Sequence, residues 1–231
     1  FPDALADFDA ALLVAPRFAE GHCGRGCVLG LTGQAGEALA AFGEALAIDP
    51  GLELAFSQRA VVHRKMVQPV KALADYDRAL EQRDDRAWLF MDRGRLRGEQ
   101  GNYAGALEDF DCAVRLIPGR ALAWHERARA RRSLGDDASA IGDFDAALKL
   151  EPGLAAAWFG RCSCRLDLGE LDAAHADLSK ALELAPDGSF AWEARGVCRL
   201  RQGRPREALA DFDEAVRQCS TTADIYVNRG T

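Results

Sequence analysis

The 231-residue sequence has no apolar run near the roughly 20 residues that a membrane helix needs, and no signal-peptide pattern opens it. It also has no excess of positive charge. Its 29 Lys and Arg are scattered among 36 Asp and Glu, and the net charge is −7. A general nucleic-acid-binding protein would carry a clustered basic patch instead. These absences predict a protein whose partner is neither a membrane nor a nucleic acid.

Catalytic and metal-binding motifs are missing as well. The sequence has no Gly-rich phosphate loop, no nucleophile elbow and no His pair at zinc spacing, so neither an enzyme nor a cofactor is predicted. A metal at His22, Cys23 and Cys27 would lack a fourth ligand, and none is predicted there. Seven cysteines without secretory spacing favour a reducing, cytoplasmic location. Because the chain starts at Phe1, it is expected to be part of a longer protein.

What the sequence does contain is a repeat of 34 residues. Prolines mark it at Pro16, Pro50, Pro118, Pro152 and Pro186, and Asp84 occupies the missing position. An aromatic or large apolar residue stands eight positions before each boundary: Phe8, Phe42, Tyr76, Phe110, Phe144, Leu178 and Phe212. A period of this length indicates a repeat architecture in which each repeat packs on its neighbours.

Each repeat reads as two helices joined by a tight turn. A large ring begins the first helix (His22, Phe56, Phe90, Trp124, Trp158, Trp192 and Tyr226), and a small residue follows four positions later (Gly26, Ala60, Gly94, Ala128, Cys162, Gly196 and Gly230). Glycine marks the turn at Gly33, Gly101, Gly135, Gly169 and Gly203. Val67 and Pro69 replace the usual turn residues in one repeat, so an altered turn is predicted there.

This order of Trp, Gly, Tyr, Ala, Phe, Ala and Pro over 34 residues resembles the tetratricopeptide repeat family along the whole chain. The resemblance implies an all-α fold, a right-handed α-solenoid of helix–turn–helix repeats. The chain would be one continuous array, 1–231, with half repeats at 1–16 and 223–231. Full repeats would occupy about 19–52, 53–86, 87–120, 121–154, 155–188 and 189–222.

One charge pattern recurs in nearly every repeat. The first helices carry Arg25, Arg59, Arg93, Arg127, Arg161, Arg195 and Arg229, and the second helices carry Asp7, Asp75, Asp109, Asp143, Asp177 and Asp211, with Ala41 as the exception. These arginines could bind a ligand or could pair with the aspartates between helices. Pairing is favoured, because architecture needs such a contact in every repeat and a ligand does not; Arg127 is predicted to meet Asp143.

The resemblance implies that the first helices line a groove that binds a protein or peptide partner. The predicted groove residues are Arg64, Lys65, Met91, Arg95, His125, Arg129, Arg132 and Phe159. A solvated face of mixed charge stays an alternative, since Asp92, Glu99 and Glu126 dilute the basic side chains. The family's carboxylate clamp needs a Lys followed four residues later by Asn, and no such pair lies in the groove.

The leading prediction is therefore a protein-interaction scaffold. One alternative is a regulatory or targeting array attached to a catalytic domain outside this sequence, and another is a structural oligomer. Head-to-tail self-association is also predicted, through residues 1–16 and 223–231. Leu5, Phe8 and Leu12 would stay partly uncovered at one end, and Ile225 and Tyr226 at the other.

Overall fold

A computed structural model describes residues 1–218, and this part of the chain contains thirteen α-helices and no strand. The chain divides into two compact units, Phe1–Leu116 and Ile117–Thr231. Unit 1 comprises α1 (Pro2–Val14), α2 (Ala19–Leu31), α3 (Ala35–Ile48), α4 (Glu53–Lys65), α5 (Pro69–Gln82), α6 (Ala87–Glu99) and α7 (Tyr103–Leu116). The described part of unit 2 comprises α8 (Ala121–Ser133), α9 (Asp137–Leu150), α10 (Ala155–Asp167), α11 (Leu171–Leu184), α12 (Ser189–Arg201) and α13 (Pro205–Gln218).

The helices pair as the repeat predicts. Within the described residues, each predicted full repeat contains one first helix of 13 residues and one second helix of 14. The half repeat 1–16 holds α1, while the predicted helix at 223–231 lies outside the described residues. Continuity of the array across the whole chain stays a prediction.

The turn inside each repeat depends on a residue in the left-handed conformation. Gly33, Gly101, Gly135, Gly169 and Gly203 have φ between 73° and 85°, a region where glycine has no steric penalty. Val67 adopts the same conformation, with φ 57°. Its N–H bonds to Arg64 O, as the N–H of Gly101 bonds to Gly98 O. The prediction of an altered turn was therefore wrong. The backbone of this turn has the same conformation as in the other repeats, and the valine is strained as a result.

At four of the described boundaries, the ring that begins the first helix ties the connection between repeats. The indole Nε1 of Trp124, Trp158 and Trp192 donates to the carbonyl of the boundary proline six residues earlier, at 2.8 Å in each case. His22 occupies the same position in the first full repeat, and its Nε2 lies 2.9 Å from Pro16 O. Since a carbonyl oxygen can only accept, Nε2 is the donor, and His22 replaces the indole without losing the bond.

The core of each unit forms where the aromatic ring of a second helix lies against the small residue of the first. A Cβ added to Gly94 would come within 2.9 Å of the Phe110 ring, and one added to Gly196 within 2.6 Å of the Phe212 ring. Phe212 is buried, as are most other members of its column. Burying one such ring contributes about 1.5–3 kcal/mol, so each repeat depends on its small residue.

Candidate functional site

The arginine column of the first helices pairs with the aspartate column of the second helices. Arg127 Nη2 donates to Asp143 Oδ1 at 2.6 Å and its Nε donates to Oδ2 at 2.9 Å, which confirms the predicted pair. The same bidentate geometry joins Arg59 to Asp75, Arg93 to Asp109, Arg161 to Asp177 and Arg195 to Asp211. The arginines therefore hold helix pairs together and do not point free into a groove.

A second arginine column, which the sequence reasoning missed, completes these pairs. Arg97, Arg131, Arg165 and Arg199 lie four residues after the first column, and each donates to the same aspartate at 2.7–3.0 Å. Its own 34-residue recurrence was the signal that could have revealed it. Burial raises the pKa of the Asp109 carboxyl, whereas Arg93 and Arg97 pull it down. The pairing thus offsets the desolvation of a buried carboxylate and fixes the orientation of the helices.

Arg25 pairs with the helix that precedes it. Its Nε donates to Asp9 at 2.7 Å, not to Asp7, which lies exposed on α1. The physical reason lies in its own repeat, where Ala41 replaces the aspartate, so the guanidinium pairs only with the preceding helix. Leu29 stands in the second arginine column in the same repeat and is fully buried. An apolar residue therefore replaces a charged one on both helices of this repeat.

Four of the predicted groove residues meet at one hollow in unit 2. His125, Arg129 and Arg132 reach it from α8, and Phe159 reaches it from α10. The hollow has a volume of about 450 Å³. Ser133, Phe144, Ala156 and Gly160 complete its lining and were not predicted.

The floor of the hollow is apolar and fixed. His125 is buried, and its ring packs edge-on against Phe144 with centroids 5.8 Å apart. Gly160 makes room for this ring, because a Cβ at that position would overlap the tip of Phe144. Phe159 is half-buried beside them. An apolar side chain could therefore be covered on several sides here.

The rim of the hollow is basic. The Arg129 side chain is 63% exposed, and its Nη1 lies 3.0 Å from the carboxylate of the buried Glu126. The Arg132 side chain is 44% exposed and lies 4.0 Å from Asp167. Both guanidinium groups remain accessible to an anionic ligand, since exposed pairs of this kind exchange readily with water.

The other predicted groove residues belong to unit 1, on α4 and α6. Arg95 Nη1 lies 3.7 Å from Asp92 Oδ1, and Arg64 also acts electrostatically on that carboxylate. Lys65 is exposed at the end of α4. Met91 is only 6% exposed, because its place in α6 faces the interior, so little of it can touch a ligand.

Three of the described cysteines, all in unit 2, behave as small core residues. Cys162, Cys164 and Cys198 are fully buried, and burial raises the pKa of the Cys162 and Cys164 thiols to about 12. Thiols with so high a pKa are poor nucleophiles and poor ligands at neutral pH. Among residues 1–218, no group of three or more His, Cys, Asp or Glu side chains is placed to hold a metal ion.

Comparison with protein families identifies the repeat. The model of the tetratricopeptide repeat matches residues 1–53, 91–155 and 163–223, which is well over half of the chain. The chain belongs to the tetratricopeptide repeat family. Tetratricopeptide repeats serve in general as scaffolds for protein interactions, and this family membership confirms the helical-repeat class predicted from the columns.

Solved structures show the same fold at low sequence identity. The C-terminal part of a tetratricopeptide repeat protein from Cytophaga hutchinsonii has a TM-score of 0.79 and 14% identity, over 98% of this chain and 93% of that one. PilF from Pseudomonas aeruginosa has a TM-score of 0.76 and 17% identity, over 92% and 96%. YrrB, described as a tetratricopeptide repeat protein with an unusual peptide-binding site, has a TM-score of 0.70 and 20% identity, over 83% and 98%.

A search of curated protein sequences found no match to this tetratricopeptide repeat protein. Within the part of the chain that the structure describes, no helix is both long enough and apolar enough to cross a membrane.

Proposed function

We propose that this tetratricopeptide repeat protein binds a peptide segment of a partner protein in the hollow between α8 and α10. The segment carries an apolar side chain next to acidic residues. The observation that supports this most directly is the combination of an apolar floor with two exposed arginines at the rim. A free acidic metabolite would not need the floor, and a purely apolar ligand would not need the arginines.

The floor supplies most of the affinity in this proposal. An apolar side chain placed beside Phe159 and above Phe144 leaves water, which contributes about 25 cal/mol for each Å² of apolar surface covered. The floor is preorganised, because Gly160 and the His125 ring hold Phe144 in place before any ligand arrives. Binding therefore costs little side-chain ordering.

The rim supplies the selectivity. Arg129 and Arg132 attract carboxylates of the ligand, although the neighbouring Glu126 and Asp167 reduce the net charge. Guanidinium groups favour carboxylates because they can donate two parallel hydrogen bonds. For unit 1, the basic residues Arg64, Lys65 and Arg95 that the sequence predicted are proposed separately as partner contacts of that unit.

A displayed library of random 12-residue peptides tests the proposal. Selection on the wild-type chain is expected to enrich peptides with an aromatic or aliphatic residue flanked by Asp or Glu. Arg129→Glu combined with Arg132→Glu is expected to weaken the selected peptide by at least about tenfold in isothermal titration, since it reverses two charges at the rim. Unchanged affinity would remove the hollow from consideration.

The matched control is Arg206→Glu combined with Arg217→Glu on α13. These arginines are also exposed, and Arg217 pairs with Glu214 at 2.6 Å as Arg129 pairs with Glu126. The control makes the same change in net charge away from the hollow, so it should bind as the wild type does. Circular dichroism of both variants establishes that the helices are retained.

A further inference from the structure

Val67 adds little to the packing of its repeat. Its side chain is 85% exposed. A Cβ added to any of the five glycines that hold this turn position in other repeats would also meet nothing within 4 Å. The left-handed conformation, with φ 57°, is nevertheless strained for a β-branched residue. Glycine would therefore serve the fold better, and the exposed valine needs another explanation.

Val67 belongs to a patch of apolar and basic side chains at the turn between α4 and α5. Val70 is 80% exposed and Met66 is 40% exposed. Lys65 and Lys71 are exposed on either side, and they are two of the four lysines in the chain. We call these five residues the valine turn. The patch is peculiar to this repeat, since the other full repeats have small or charged residues at the position of Val70: Gly36, Ala104, Ala138, Asp172 and Arg206.

The valine turn is positive in a chain whose net charge is −7. The stretch 54–74 contains no Asp or Glu. The flanking repeats of unit 1 have Glu37 at the position of Lys71 and Glu99 at the position of Lys65. The basic side chains are thus confined to one turn, a surface that suits a short acidic ligand.

Backbone and side-chain hydrogen bonds hold the valine turn in one conformation. The N–H of Val67 donates to Arg64 O at 3.0 Å, and the N–H of Gln68 donates to His63 O at 2.9 Å. The His63 Nδ1 atom also lies 3.0 Å from Gln68 Oε1, and Pro69 fixes the backbone where α5 begins. The exposed valines are therefore preorganised, and binding costs little ordering of the backbone.

We infer that the valine turn binds an acidic segment of a partner protein, which places one apolar side chain against Val67 and Val70. Lys65 and Lys71 attract carboxylates on either side of that apolar side chain. Lys65 is one of the partner contacts already proposed for unit 1. The inference rests on that part of the proposed function and not on the hollow of unit 2.

A protein segment fits the valine turn better than an anionic membrane does. Surfaces that bind to a bilayer usually bury Trp, Phe or Leu, and the valine turn has none of these. A bilayer is also wide enough to meet Glu37 and Glu99 in the flanking repeats, and their carboxylates would repel it. A short segment responds mainly to the charges within a Debye length of about 8 Å.

Peptide display on the full-length variant Arg129→Glu with Arg132→Glu tests the inference, because this variant lacks the basic rim of the hollow. Random 12-residue peptides that carry an aromatic or aliphatic residue flanked by Asp or Glu should be enriched. Val67→Gly in the same background should weaken the selected peptide by at least about fivefold, since the peptide loses an apolar contact. Val67→Asn should do the same, because asparagine tolerates the left-handed conformation but is polar.

Matched variants separate the valine turn from general effects of valine and of charge. Val14→Gly makes the same change at a valine that is 88% exposed at the end of α1, and should leave the affinity unchanged. Lys65→Glu with Lys71→Glu should weaken the peptide by at least about tenfold. Lys149→Glu with Lys180→Glu is its control, since these two lysines are also exposed, on α9 and α11.

The possible contrary results each have a distinct meaning. No enriched peptide, or equal affinity for Val67→Gly, Val67→Asn and their parent, would overturn the inference. An equal loss in both lysine pairs would show attraction by net charge alone, and would also overturn it. Sedimentation of the wild type with vesicles of phosphatidylcholine and phosphatidylglycerol, lost in Val67→Asn, would assign the valine turn to a membrane instead. None of these results bears on the hollow, which the titration of the wild type tests separately.

Discussion

At the scale of single residues, Val67 is the clearest departure from the repeat. It occupies the turn position where five other repeats have glycine, and its φ of 57° places a β-branched side chain in the left-handed region. This conformation costs about 1–2 kcal/mol, partly offset by the larger unfolded-state entropy of glycine. We expect Val67→Gly to raise the free energy of unfolding by about 1 kcal/mol, measured by urea denaturation.

The control for that prediction is Val70→Gly, three residues further on in α5. Val70 is exposed and helical, so glycine there should lower the stability through its poor helix propensity. Two variants with the same chemical change should thus move in opposite directions. A loss of stability in both would mean that Val67 contributes packing that outweighs its strained backbone.

At the scale of the helices, the first arginine column links neighbouring repeats as well as the two helices of one repeat. Arg93 bonds to Asp109 sixteen residues later and also to Asp77 sixteen residues earlier, at 2.6 Å. Arg161 does the same with Asp177 and Asp145. Arg59 has its later partner, but Gly43 stands at the earlier position and offers no side-chain acceptor. The contact between α3 and α4 therefore lacks one ion pair.

Gly43→Asp should supply the missing pair. A Cβ at Gly43 meets nothing within 4 Å, so the substitution is sterically free. We expect Gly43→Asp to be more stable than Gly43→Asn by about 0.2–1 kcal/mol, the usual range for an ion pair near the surface. Asparagine is the control, because it has nearly the same shape and helix propensity without the charge. The difference should shrink in 1 M salt, and its persistence there would argue against an ionic origin.

The helices and their partners were largely predictable from the sequence, because a fixed period places equivalent residues on equivalent faces. The Arg127–Asp143 pair followed from the two columns in this way. The pairing of Arg25 with Asp9 did not, because the aspartates sixteen residues before the arginines lie outside the column that the sequence analysis singled out. The turn at Val67 was mispredicted, because the rest of the repeat imposes the backbone that glycine would prefer.

The candidate site was less predictable than the fold. The columns placed His125, Arg129, Arg132 and Phe159 on two neighbouring first helices, and the structure brings them to one hollow. The depth of that hollow depends on Gly160, whose missing side chain matters only once the Phe144 ring is placed beside it. A column of equivalent residues in the repeat shows on which helix face each side chain lies. The space left between two helix faces depends on how their side chains pack in three dimensions.

At the scale of the whole molecule, the predicted head-to-tail association stays a prediction. No residue of α1 is buried, and Leu13 and Val14 are largely exposed. The segment 223–231, its predicted counterpart, lies outside the described residues. If the association occurs, light scattering should show an apparent mass that rises with protein concentration, because a heterologous contact can propagate.

Phe8→Glu should hold the apparent mass at that of one chain over the same concentration series, since it places a charge on the α1 face. Tyr226→Asp tests the opposite surface independently, and should have the same effect. A wild-type mass that stays constant over the whole series would contradict the prediction. A rising mass in both variants would locate the contact elsewhere.

The hydrogen bonds between indole and proline carbonyl have a spectroscopic consequence. Three of the four tryptophans, Trp124, Trp158 and Trp192, share one environment, with an Arg guanidinium 4.7 Å from each ring centroid. All three lie in unit 2, and the fourth, Trp88, is already 38% exposed on α6. Intrinsic fluorescence should therefore report the connections between the repeats of unit 2 and be nearly blind to unit 1. If the fluorescence emission and the far-ultraviolet circular dichroism have different midpoints during denaturation, the two curves would then give the stabilities of the two units separately.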